Sequence, residues 1–177
     1  MAGLADIKDR LFHRRLRREI GKVPAAERSG EPVKLATARR ITILFPADNA
    51  EDRKAVEDWQ PPGVEGRRVT LFGYFNHEVG ATSFSFKAVT VKDLNWYGVP
   101  EGAAVDDLRQ SHPDLLIRLG PAVHRELDYL AAVTPARLKV GPDTPTENHY
   151  HLRYFPNTED LSAQLAGIVK TFTFTNE

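Results

Sequence analysis

Cysteine is absent from these 177 residues, and methionine occurs once. Without thiols the chain has no disulfide and no thiolate metal site, which fits a reducing compartment. Long apolar runs are missing too: nothing approaches the roughly 20 residues needed to cross a bilayer. The opening stretch MAGLADIKDRLFHRRLRREI lacks the unbroken apolar block of a secretion signal, so a cytoplasmic protein is expected. Neither G-x-G-x-x-G nor G-x-x-x-x-G-K-[ST] occurs, so neither glycine-rich cradle for a nucleotide's phosphates is present. No G-x-S-x-G elbow presents a nucleophilic serine. No cofactor is expected.

An excess of charge is lacking as well, with 24 basic and 24 acidic residues. The balance conceals an asymmetry. Residues 1–40 hold eleven Lys and Arg against five acids, so a basic arm precedes an acidic body. Leu4, Ile7, Leu11, Phe12, Leu16 and Ile20 recur at helical spacing and make one apolar stripe. Arg10, Arg14, Arg15, Arg17 and Arg18 lie mostly off it. The chain divides into a basic amphipathic helix with a Gly- and Pro-rich linker over 1–32 and a body over 33–177. The body is expected to fold without the arm. The arm is expected either to dock on its own acidic body or to meet a protein partner or a second copy of the chain, with RNA and an anionic membrane surface as alternatives.

The body alternates strands with helices. Ile41, Ile43 and Phe45 interleave with Thr42 and Leu44, so both faces are largely apolar, as in a buried central strand. Further strands are read at 67–75, 83–89, DLLIRL, ARLKVG and HYHLRYF. The last alternates, with Tyr150, Leu152 and Tyr154 on one face and His149, His151 and Arg153 on the other. Helices are expected after Asp48 or Asn49, from Pro100, over 121–133 with Val123 inward, and after Asn157 or Thr158. This is an α/β, Rossmann-like three-layer sandwich with a mostly parallel sheet of about six strands, in the order 3-2-1-4-5-6. The short link NHEVGAT leaves the direction of the third strand open.

Ligands of such sheets bind beyond the carboxyl ends of the strands, where the strand order reverses. That places Asp48, Asn49, Arg118, Gly120 and His124 around a candidate crevice, with Trp96 and Tyr97 of KDLNWYGVP at its roof. The first strand–helix turn reads Pro-Ala-Asp-Asn-Ala-Glu, with Glu51 and Asp52 opening the helix. Those acids suit a helix dipole and repel a phosphate. Gly120 before a helix offers a second phosphate position. Asp48 with His124 offers an acid–base pair. His149-x-His151 has a metal-compatible spacing without an evident third ligand, and no metal is expected. Trp96 and Tyr97 are either loop clips or a recognition surface.

ITILFPADNAED, LFGYF, LNWYGVP, DLLIRL and LDYLAAVTPARLKVG occur in the order found in a family of small uncharacterised bacterial α/β proteins, which the chain resembles. The likeness runs from about residue 40 to 141 and implies a basic N-terminal helix before one α/β domain, with no assigned activity. The stretch from DLLIRLG to RLKVG is also similar to the N-terminal Rossmann-like half of heptosyltransferase-type glycosyltransferases. Proteins of both groups often carry an acid where this chain has Arg118, and the second, donor-binding domain of the transferases has no counterpart here. Two functions are therefore carried forward. One is a non-catalytic binding or assembly module using the basic helix and the aromatic rim loop. The alternative is a small enzyme, related to a reduced glycosyltransferase half, acting on a small anionic ligand.

Overall fold

A computed structural model describes residues 3–25, 32–145 and 149–174. The elements run α1 (Leu4–Ile20), β1 (Arg40–Pro46), α2 (Ala50–Glu57), β2 (Arg68–Phe75), β3 (Lys87–Thr90), a 3-10 turn (Val91–Asp93), α3 (Ala103–Gln110), β4 (Leu115–Arg118), α4 (Arg125–Val133), β5 (Leu138–Pro142), β6 (Leu152–Tyr154) and α5 (Leu161–Phe174). Residues 26–31 of the expected linker lie outside the described residues.

The sheet has six strands in the order β3-β2-β1-β4-β5-β6, and every pairing is parallel. β1 sits between β2 and β4, with Ile41 opposite both Val69 and Leu115. Its two apolar faces feed two cores. Ile41, Ile43 and Phe45 join α2 and α5 on one side, while Leu44 joins α1, α3 and α4 on the other. A parallel sheet covered on both faces requires such doubly apolar central strands.

The third strand is parallel, although no helix joins it to β2. Residues 76–86 make the crossover as irregular chain, and Phe84 and Phe86 pack with Phe75 to cover the sheet where a helix would lie. Gly73 permits this. A Cβ there would stand 2.5 Å from the Phe86 ring.

Several boundaries move for physical reasons. Asp160, rather than Asn157 or Thr158, caps α5: its Oδ1 accepts the N–H groups of Ser162 and Ala163. Pro100 bridges back to Leu94, and α3 starts only at Ala103. α4 begins after His124, which leaves Val123 exposed rather than inward. β6 is short, and the chain twists ahead of it. Tyr150 therefore packs in the core beneath α4, whereas Leu152 and Tyr154 pack with α5 on the opposite face.

α1 is docked on the body. Phe12 is buried, its ring 5.6 Å from that of Tyr129 and 3.9 Å from the Arg125 guanidinium carbon. Arg125 also pairs with Asp9 at 3.3 Å. At the other end Glu19, only 4% exposed, receives Arg15 at 3.1 Å, Lys22 at 3.0 Å and Arg109 of α3 at 3.2 Å. Arg15 thus faces a partner within α1, whereas Arg10, Arg14, Arg17 and Arg18 remain exposed. The helix packs on the body, the first of the arrangements open to the arm, and whether the body folds without it is a matter for truncation.

Candidate functional site

The crevice between β1 and β4 is filled by the chain itself. Gly120 leaves β4 with φ +112°, and a Cβ there would lie 2.9 Å from Pro46 Cδ. Its N–H donates to Gln164 Oε1 at 2.9 Å, and its carbonyl accepts from Gln164 Nε2 at 3.3 Å. The same amide donates to the Thr158 carbonyl at 2.8 Å, and the Tyr154 hydroxyl lies 3.0 Å from Gln164 Oε1. Gln164 is 4% exposed. A side chain of α5 therefore occupies the hydrogen-bonding groups with which a Gly120 turn would hold a phosphate.

Asn49 is similarly committed. Its side chain caps α2 by accepting the N–H groups of Glu51 at 2.8 Å and Asp52 at 3.2 Å. Asp48 turns outward, accepting Asn76 N–H at 3.0 Å and lying 3.0 Å from His77 Nδ1.

Arg118 is fully buried and points toward α4. It donates to the Pro121 carbonyl and pairs with Asp128 at 3.0 Å, and the Tyr150 hydroxyl donates to the same carboxylate at 2.6 Å. Burial, reinforced by the Asp128 charge, pushes the Tyr150 hydroxyl well above its ordinary range. That hydroxyl therefore stays a donor that stabilises the Asp128 carboxylate, whose counter-charge is Arg118. Buried ions of this kind need such pairing.

His124 caps α4, its Nδ1 accepting Leu127 N–H at 3.4 Å, and its ring meets Tyr74 edge-on at 5.3 Å. Burial first, and then the Arg118 charge, lower its pKa from the ordinary value of 6.5. A histidine depressed in the folded state stabilises above the unfolded value, and that stability is lost as pH falls through the folded one. The wild type should therefore lose more thermal stability between about pH 7.5 and 5.5 than His124→Asn, which keeps a capping acceptor but does not titrate. Parallel pH–melting curves for the two proteins would contradict this account.

The aromatic pair divides. Asn95 closes the turn, its Oδ1 accepting Tyr97 N–H at 3.2 Å and Val99 N–H at 3.0 Å, while its backbone N–H donates to the Val99 carbonyl at 2.9 Å. Gly98 N–H returns to the Asn95 carbonyl, and Gly98 takes φ +87°, the left-handed position such turns assign to glycine. Tyr97 and Leu94 pack against the core that holds Phe12 and Leu16. Trp96 projects from the same turn and is 61% exposed, touching Tyr97 edge to face at 5.3 Å. Tyr97 is the clip, and Trp96 is presented.

Two adjoining cavities lie elsewhere. A groove of about 540 Å³ runs between α1 and α4, with Phe12, Leu16, Val123 and Tyr129 among its walls. A smaller pocket of about 380 Å³ lies where the end of α1 meets β5 and the chain before β6; Lys139, His149, Tyr150 and His151 line one side. The two histidines read from spacing do meet here. Among the described residues no group of His, Asp and Glu side chains is arranged to hold a metal ion, and no helix is long and apolar enough to cross a membrane. Lys139 and Gln164 escaped the sequence reading. Each is a polar residue set into an apolar pattern, RLKVG in one case and Leu161, Leu165 and Ile168 in the other.

The chain matches no curated protein and no solved structure. A family of unknown function, DUF6913, matches residues 8–168, a span that takes in most of α1 as well as the whole sheet, and the chain belongs to that family.

Proposed function

We propose that the protein is a non-catalytic binding module for a protein partner. The observation that carries this reading is Trp96, a 61% exposed indole on a turn whose backbone is fixed by Asn95 and Gly98. A large aromatic held rigidly before binding loses little entropy on contact, which is why such residues anchor interfaces. Leu16 of α1 and Tyr97, the neighbour of Trp96, pack against the same core. Arg10, Arg14, Arg17 and Arg18 lie exposed on that helix, so the favoured partner is acidic. The filled crevice at Gly120 supports a binding role over turnover, because it removes the usual place for a small substrate.

The test is capture on the immobilised full chain from native lysate, with and without nuclease. A protein retained after nuclease should be lost with Trp96→Ala, by about 30-fold or more in affinity once the partner is purified. Reversing Arg14 and Arg17 to Glu should mainly slow association and weaken its salt dependence. Capture indifferent to Trp96 removes this reading, and capture abolished by nuclease replaces it with RNA binding.

A further inference from the structure

Lys139 lies on β5 and is 6% exposed. Its Nζ donates to the Ala132 carbonyl in the last turn of α4 at 3.1 Å, and no carboxylate among the described residues pairs with it. An ammonium has three donors, so this bond leaves two unaccounted for. Lys139 lines the 380 Å³ pocket together with His149, Tyr150 and His151, and Ala132, whose carbonyl its Nζ meets, forms an apolar wall with Ile20 and Val23. His151 Nδ1 accepts the Lys139 backbone N–H at 2.9 Å, so in the neutral ring the proton sits on Nε2, a further donor. The pocket therefore has a cationic, donor-rich side and an apolar side. It shares Ile20, Ala132, His149 and Tyr150 with the longer apolar groove along α1.

We propose that this pocket binds a small amphipathic monocarboxylate, its head on Lys139 Nζ beside the two imidazoles and its apolar tail directed into the α1–α4 groove. A single buried cation matches a single negative charge. A phosphate dianion is matched better by guanidinium forks or clustered backbone N–H groups, which the described lining residues do not provide. Burial alone brings the Lys139 amine down to about 8, the mark of a charge taken from water without a counter-ion. A bound carboxylate supplies that counter-ion, and the amine's pKa rises on binding. The titratable groups facing it are His149, Tyr150 and His151 from the chain before β6, with none from α1 or α4 lining the pocket.

The experiment is calorimetric titration of the full chain with octanoate at neutral pH, with octan-1-ol and inorganic phosphate as separate probes. Octanoate should bind saturably, and Lys139→Met should weaken it by at least about tenfold while leaving the fold intact, since removing an unpaired buried cation is not destabilising. Lys139→Arg keeps the charge, serves as the second variant, and should retain more octanoate affinity than Lys139→Met. In the wild type, octanoate should also protect Lys139 from acylation, read by peptide mass. Three results overturn the proposal: no octanoate binding, octanoate affinity unchanged in Lys139→Met, or octan-1-ol or phosphate binding as tightly as octanoate. Trp96 does not line this pocket, so the outcome is separate from that of the partner-capture experiment.

Discussion

A chain shortened to begin at residue 24 is expected to aggregate or to lose its cooperative melting transition. Without α1 the ring of Tyr129 loses Phe12, and Arg109 loses the carboxylate of Glu19 while remaining hydrogen-bonded to the Tyr129 hydroxyl. Graded versions separate the contributions. Phe12→Ala should cost about 3–5 kcal/mol, as for other buried aromatics. Glu19→Ala should cost less, roughly 1–3 kcal/mol, because it leaves the part-exposed guanidinium groups of Arg109 and Arg15 without their carboxylate. Burial pushes the Glu19 carboxyl up, but Lys22, Arg15 and Arg109 outweigh it and hold the group below its ordinary 4.5. Its folded value is the depressed one. Its stabilisation is therefore present above that ordinary value and is lost as pH falls through the folded one. Acid unfolding of the wild type should thus be steeper than that of Glu19→Gln. A truncated chain that melts cooperatively at the wild-type temperature would show that α1 merely rests on the body.

Gln164→Leu is the second large effect. The substitution keeps the volume but removes every polar contact of the plug, leaving the Gly120 N–H, the Gly120 carbonyl and the Thr158 carbonyl without their partner. Each abandoned buried group costs about 1–3 kcal/mol, and the sum is less than additive because the groups are neighbours. A total of about 3–5 kcal/mol is expected, read as a lower urea midpoint at unchanged slope. Gln164→Glu should be nearly as damaging. A carboxylate can still accept from Gly120 N–H, but it has no hydrogen to give the two carbonyls. A loss below about 1 kcal/mol in both variants would mean that water satisfies these groups and the crevice is open after all.

Much of the fold was legible because burial leaves a direct imprint on composition. β1 and β4 are apolar on both faces, so they had to be central, and the right-handed crossover rule then ordered the rest. The direction of β3 was not legible. Its crossover uses stacked phenylalanines in place of a helix, and no periodicity announces that. The cap of α5 was misplaced because Asn157, Thr158 and Asp160 all fit the role, and only backbone geometry selects one. The candidate crevice was placed by topology, and its residues do lie at the carboxyl ends of the strands. Whether that space was free depended on Gln164, which reaches Gly120 across 44 positions of sequence. Glu19, Arg118, Lys139 and Gln164 share one signature, a polar side chain interrupting an apolar stripe. Glu19, Arg118 and Gln164 are each held in a specific pairing, whereas Lys139 is held by the Ala132 carbonyl.

The twist before β6 carries a further consequence. Tyr150 is set among the side chains under α4, and four residues later Tyr154 is set among those under α5. This short segment is thus a seam stitched through the rim of the sheet. Neither layer of helices can peel away without drawing the thread, so the smallest strand ties two half-cores into one unit that opens together.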